Sequence, residues 1–151
     1  MNSSLIEIEP VKNSRMKTAV TVRRQSKRLA RQLAKYALEK KADKILIMDL
    51  RKLTTMTDFF VVCSADSEVQ VKSICDHIEF KMKKRKMKAL NREGYTNSKW
   101  VLLDYIDTIV HIFHRDTRDF YSLETLWGDA KFEEISEEPE VVSSQEESKL
   151  K

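Results

Sequence analysis

The sequence predicts one domain of mixed α/β (α+β) class, a single mixed β-sheet with helices packed on it. Three observations carry that prediction. A chain of 151 residues suits one domain with room for a real hydrophobic core. It holds only two glycines and two prolines, too few turn residues for an all-β sandwich. Segments with helical apolar spacing alternate with short apolar runs, in the order helix, two strands, helix, hairpin, helix.

The first helix is expected over Gln25 to Lys40, where Leu29, Leu33, Tyr36 and Ala37 recur at spacings of three and four and share one face. The basic residues between them cover the other face. Lys44 to Leu50, "KILIMDL", and Asp58 to Ser64, "DFFVVCS", read as buried strands. The link between them is too short for a helical crossover, so they do not form a βαβ unit. Ser67 opens the second helix as the N-cap of a capping box, with Gln70 expected to reach back to the serine N–H. Val71, Ile74, Cys75, Ile78 and Met82 form its apolar stripe. Lys88 to Arg92 is a short edge strand before a turn at Glu93-Gly94. Lys99 to Tyr105 and Thr108 to His114 then form an antiparallel hairpin. Ile106 sits badly in its turn, because β-branched residues resist positive φ, so the turn is expected to shift or widen. Asp116 is the expected N-cap of a last helix, Thr117 to Trp127. Phe120, Leu123 and Leu126 or Trp127 face inward, and Gly128 ends the helix in the left-handed conformation.

An apolar fraction of 41% beside a charged fraction of 34% implies a compact centre with charged ends. The expected organisation is a disordered basic extension over 1–24, the folded domain over 25–132 and an acidic disordered tail over 133–151. Arg23, Arg24, Lys27, Arg28, Arg31 and Lys35 make one basic cluster, and Lys81, Lys83, Lys84, Arg85, Lys86 and Lys88 a second. Glutamates crowd the C-terminal end. Such asymmetry suits a nucleic-acid-rich partner. The second cluster also has a plain structural explanation, since cations suit the negative end of a helix dipole. Cys63 and Cys75 make no disulfide framework and read as buried thiols in a reducing compartment. No stretch approaches the roughly twenty apolar residues of a membrane span, and no secretory h-region opens the chain. The start is basic and contains serines, as organellar transit segments do, but Glu7, Glu9 and Pro10 count against one. The expectation is a cytoplasmic protein.

No catalytic, cofactor or metal pattern emerges. His111 and His114 fall on opposite faces of their strand, and no Cys-x-x-Cys pair exists. Asp104 and Asp107 flank a turn, without a glycine-rich phosphate loop anywhere. Ser64 and Ser67 have no base at a recognisable spacing. The informative stretch is "KWVLLDYIDTIVHIFH". Trp100, Leu102 and Asp104 alternate onto one face, and Val101, Leu103 and Tyr105 onto the other. Either helices cover both faces, or part of the hairpin, with Trp100 and Tyr105 foremost, is an apolar surface for a protein partner.

From Leu33 to Ala130 the chain resembles the ribosomal silencing factors, also called Iojap-related proteins. The resemblance is carried by "ALEKKADKILIMDLRKLTTMTDFFVVCSADSEVQVKSICDHI", "WVLLDYIDTIVHIFH" and "RDFYSLETLWGDA" in the family's order. It implies a nucleotidyltransferase-like fold without the catalytic signature of those enzymes. It also implies binding to the large ribosomal subunit through its ribosomal protein fourteen, blocking the small subunit and lowering translation. A part in large-subunit assembly and a homodimeric state are further implications. Trp100, Asp104 and Tyr105 match the family's "W-x-x-x-D-Y". With Leu102 and Leu103 they are the expected contacts with the ribosomal protein, and Lys83, Lys84, Arg85 and Lys86 the expected contacts with rRNA. Asp58 matches "T-D-[FY]", where a structural role at a strand start is equally open. Ile106 departs from the glycine common in "D-Y-G-D". The competing reading is a nucleotidyltransferase-like enzyme or a nucleotide-binding relative, and RNA binding through both basic clusters could accompany the ribosome-binding reading.

Overall fold

The structure, a computed structural model, describes residues 25–137. Helix α1 spans 25–39, as its apolar spacing requires, and buries Ala30, Leu33, Ala34, Tyr36 and Ala37. There follow β1 (Asp43–Asp49), β2 (Phe59–Ala65), α2 (Glu68–Lys84), β3 (Asn91–Glu93), β4 (Trp100–Asp104), β5 (Thr108–His114), α3 (Arg115–Tyr121), α4 (Leu123–Leu126) and β6 (Lys131–Ile135). One six-stranded sheet runs β3-β4-β5-β2-β1-β6. The β2–β5 pair is parallel and every other pair antiparallel, including β1–β2, as their short link demands.

Helices α1 and α2 share one face of this sheet. Their apolar stripes meet Ile45, Ile47, Val61, Cys63, Val101, Leu103, Val110 and Ile112 in the main core. The α2 stripe is the one the sequence indicates: Val71, Ile74, Cys75, Ile78 and Met82 are all buried. Ser67 caps α2, its Oγ accepting from Gln70 N at 3.1 Å. The reciprocal half of the expected capping box is not made. Gln70 instead donates to the Lys41 carbonyl at 3.3 Å, tying α2 to the loop that leaves α1.

The C-terminal part differs most from expectation. The last helix begins two residues earlier than expected: His114 is its N-cap, with Nδ1 accepting from Asp116 N at 3.3 Å, and Asp116 lies in the first turn. It then breaks at Ser122, which adopts φ 44, and resumes as α4. The break rotates the apolar stripe, so Leu123 stays buried while Phe120 is 79% and Leu126 72% exposed. Gly128 takes no positive φ; among the described glycines only Gly94 does, at 81°. Beyond the expected boundary at residue 132 the chain remains regular. Lys131 to Ile135 pair with β1, Ile45 opposite Ile135 and Asp49 opposite Lys131. Glutamates disfavour strands, but β1 has a free ladder of donors and acceptors, and pairing satisfies it. Charges on the resulting edge guard it against further pairing. The rest of the expected tail and the 1–24 extension lie outside the described residues.

Arg118 locks this end to the sheet. A register shift in β1 puts Lys44 at φ 48 and leaves its carbonyl outside the ladder. Arg118, only 5% exposed, donates Nη1 to that oxygen at 2.6 Å and to Ser64 Oγ at 3.2 Å, while Nε and Nη2 reach Glu124 Oε2 at 3.1 and 2.7 Å. A buried guanidinium is tolerated only when its donors are met in this way. Arg118→Met should therefore cost roughly 2–4 kcal/mol in urea unfolding, through the carbonyl and carboxylate it leaves unpaired. A loss below about 0.5 kcal/mol, the level of an ordinary surface change, would contradict this role.

Candidate functional site

The β4–β5 hairpin divides its side chains as alternation requires. Val101 and Leu103 are fully buried beneath the helices, and Tyr105 is buried with them. Burial raises the Tyr105 phenol above its ordinary range. The five strand residues expected to meet a partner therefore do not share a surface. Leu103 and Tyr105 belong to the core, while Trp100, Leu102 and Asp104 stand half-buried on the opposite face. Tyr105 is thus not the exposed aromatic anchor that the sequence suggested.

On that opposite face Trp100 is the centre of an aromatic layer. Its ring stacks on Phe113 (centroids 4.9 Å apart) and leans on Tyr121 (4.9 Å), while Phe60 packs edge-on against His111 (4.4 Å) and Trp127 (5.9 Å). Register explains the grouping: Trp100 is directly opposite Phe113, and Leu102 opposite His111. The indole Nε1 donates to His111 Nδ1 at 3.0 Å. An indole can only donate, so His111 must be the tautomer with its proton on Nε2. That Nε2 finds no partner among the described residues. His111 is 4% exposed, and burial pushes its pKa down to about 3. A neutral imidazole thus holds Trp100 at a fixed tilt.

Gly94 sets the other side of Trp100. A Cβ there would lie 2.0 Å from the Trp100 carbonyl oxygen, so only glycine lets the β3–β4 turn close onto the strand. Between that turn and α3 runs a groove of about 380 Å³ lined by Gly94, Lys99, Trp100, Asp116, Phe120 and Tyr121. Helices α3 and α4 are too short to cover this face as α1 and α2 cover the other. It keeps exposed Phe120 and Tyr121 beside Trp100.

Lys83, Lys84, Arg85 and Lys86 are all exposed, at the C-terminal end of α2. They belong to the helix layer, across the sheet from Trp100. Arg85 closes the α2 helix, its N–H donating to the Met82 carbonyl at 2.9 Å, and Lys86 takes φ 61. Arg85 alone of the second basic cluster lines a groove with Arg28, Arg31 and Lys35 of α1. Glu133, Glu134 and Glu137 form its acidic rim, with Glu133 accepting from Arg31 at 3.2 Å. Among the described residues, Cys75, Asp76 and Glu79 come close enough to suggest a metal. Their groups are engaged elsewhere: Asp76 accepts from Tyr95 Oη at 2.9 Å, Glu79 accepts from Arg92 at 3.1 Å, and burial pushes the Cys75 thiol up to about 12.

A sequence model described as "Ribosomal silencing factor during starvation" matches residues 23–151. The chain belongs to the ribosomal silencing factor family. The silencing factor of Halalkalibacterium halodurans is 37% identical over 105 residues, 69% of this chain and 90% of that protein. That of Bacillus subtilis is 35% identical over 97 residues, 64% of this chain and 82% of the relative. The chloroplastic Iojap protein of Zea mays is 38% identical over 98 residues, 65% of this chain but 42% of its own length. A crystal structure from Bacillus halodurans superposes with a TM-score of 0.61 at 33% identity, over 69% of this chain and 95% of that one. One from Chromobacterium violaceum gives 0.64 at 29% identity, over 74% and 88%. The six-stranded mixed sheet with helices on both faces is thus similar to these two structures, and no described helix is long and apolar enough to cross a membrane.

Residue-level reading of the sequence located Trp100 but missed His111, Phe113, Tyr121 and Gly94 as the groups that orient it. Strand parity alone could have placed His111 and Phe113 on Trp100's face, once the hairpin register was known. His111 has a consequence in solution. Its folded pKa lies far below the ordinary 6.5, so between pH 6.5 and about 3 the unfolded chain takes up a proton that the folded protein refuses. Stability from this residue is complete above pH 6.5 and is lost as pH falls through that window. His111→Gln should flatten the fall of the melting temperature across the same range; an unchanged slope would show that the burial of His111 does not govern it.

Proposed function

We propose that the protein binds the large ribosomal subunit through the open face of β4, against ribosomal protein fourteen, and so prevents the small subunit from joining. Translation is repressed by occupancy, without catalysis, in the cytoplasm. The observation that carries this reading is Trp100, held by His111 on a sheet face that leaves Phe120 and Tyr121 exposed beside it. A rigid aromatic anchor with an apolar surround is the kind of surface that dominates protein–protein recognition. Membership of a family whose proteins are named for silencing ribosomes supports a ribosomal partner. Lys83, Lys84, Arg85 and Lys86, across the sheet from Trp100, would add rRNA phosphate contacts. The β4 face would also serve a homodimer when no ribosome is bound. A part in large-subunit assembly is the second element of this reading.

The test is sedimentation with separated subunits and intact ribosomes. The protein should travel with large subunits and not with joined ribosomes. Trp100→Ala should weaken that binding by about 2 kcal/mol, roughly thirtyfold in Kd, with circular dichroism confirming the fold. Equal affinity for joined ribosomes and free large subunits would overturn the proposal. Reversing Lys83 and Lys84 to glutamate should reduce the steepness of the salt dependence, and an unchanged slope would remove rRNA from the reading.

A further inference from the structure

The hairpin turn carries an expense with no structural return. Ile106 adopts φ 72, and Asp107 N donates to the Tyr105 carbonyl at 2.9 Å across it, a three-residue γ-turn centred on a β-branched residue. Glycine would make the same turn without opposition from a Cβ. The isoleucine side chain recovers nothing by burial, for it is 61% exposed.

The surroundings over-determine this conformation. Asp104 Oδ1 accepts from Ile106 N at 2.7 Å, and Thr57 Oγ1 donates to the Ile106 carbonyl at 3.1 Å. The next carbonyl, of Asp107, accepts from Asp58 N at 2.9 Å and Phe59 N at 3.1 Å. One more exposed apolar residue stands on a segment tied to the same turn: Met56, 83% exposed, precedes the Thr57 that grips Ile106. Strain that is held in place at an exposed apolar side chain is a mark of a functional contact.

We propose that Ile106 is a second anchor of the partner surface, inserted with Met56 into an apolar depression of the same ribosomal protein. Asp104 is its positioning residue: its carboxylate fixes the direction of the Ile106 backbone. This inference rests on the β4 face being the ribosomal contact, with which Ile106 is continuous through Asp104 and Leu102. The geometry makes Ile106 a specificity-determining residue of this chain, at the position where the family resemblance leads one to expect glycine.

The experiment measures two quantities on Ile106→Gly and Ile106→Asn, both of which suit a left-handed backbone and remove the apolar side chain. Melting temperature should rise for the glycine variant and hold or rise for the asparagine variant. Affinity for purified large subunits should fall tenfold or more in both. Affinities within twofold of the parent protein would overturn the proposal, as would a fall in melting temperature for both variants. Trp100→Ala, measured in parallel, separates the two readings. If it weakens binding and the Ile106 variants do not, only the second anchor fails. If the Ile106 variants weaken binding and Trp100→Ala does not, the anchor stands and the aromatic face is lost as a contact. If neither weakens binding, both fail.

Discussion

The parallel pairing of β2 with β5, in register from Phe59 opposite Thr108 to Ala65 opposite His114, joins two halves of the chain that could not close a sheet alone. One half is the antiparallel β1–β2 pair with β6 on its outer edge; the other is the β3–β4–β5 meander. Parallel neighbours cannot be linked by a tight turn, so α2 and the meander must intervene between them. Because this seam is central, both faces of β2 and most of β5 are buried. The main core gathers on one side of it and the aromatic layer on the other.

The two faces are not closed equally. Two amphipathic helices cover the first, and the unbroken stripe of α2 lies over β2, β4 and β5. The second receives only α3 and α4, interrupted at Ser122 where the backbone turns left-handed. Phe120 before the interruption and Leu126 after it are both exposed, and Leu123 is the buried contact. A face half-covered in this way is neither core nor ordinary surface. What stabilises it is aromatic packing about Trp100 and the neutral imidazole of His111.

Of the six described non-glycine residues with positive φ, Lys41, Lys86 and Ser98 lie in turns and loops, and the other three fall at two places. Lys44 and Ser122 take positive φ around the Arg118 network, which supplies hydrogen bonds to justify it. Ile106 takes it at the rim of the open face, where the compensation is made by backbone and carboxylate contacts and never by the side chain itself. Natural sequences are locally consistent except where structure or function demands otherwise, so these positions are informative in different ways. One consolidates the fold. The other exposes a group.

Much of the architecture was legible because its causes are local. Period and composition marked α1, α2 and the four main strands, the serine before Glu68 announced a cap, and the brief β1–β2 link excluded a crossover. Strand alternation separated Trp100 from Val101 correctly. The family likeness rested on ordered motifs, again a property of the chain alone. Tertiary structure decided what depends on distant partners. The glutamate-rich β6 exists because β1 offers a free edge; Gln70 abandons its cap for the Lys41 carbonyl; Tyr105 is buried because α2 lies over it. The same holds for His111, whose tautomer follows from an indole eleven residues away in sequence, and for Ile106, held left-handed by Thr57 and Asp104. Propensity describes what a segment prefers by itself. A neighbour that satisfies its hydrogen bonds or buries its surface can outweigh that preference, and only the folded chain supplies the neighbour.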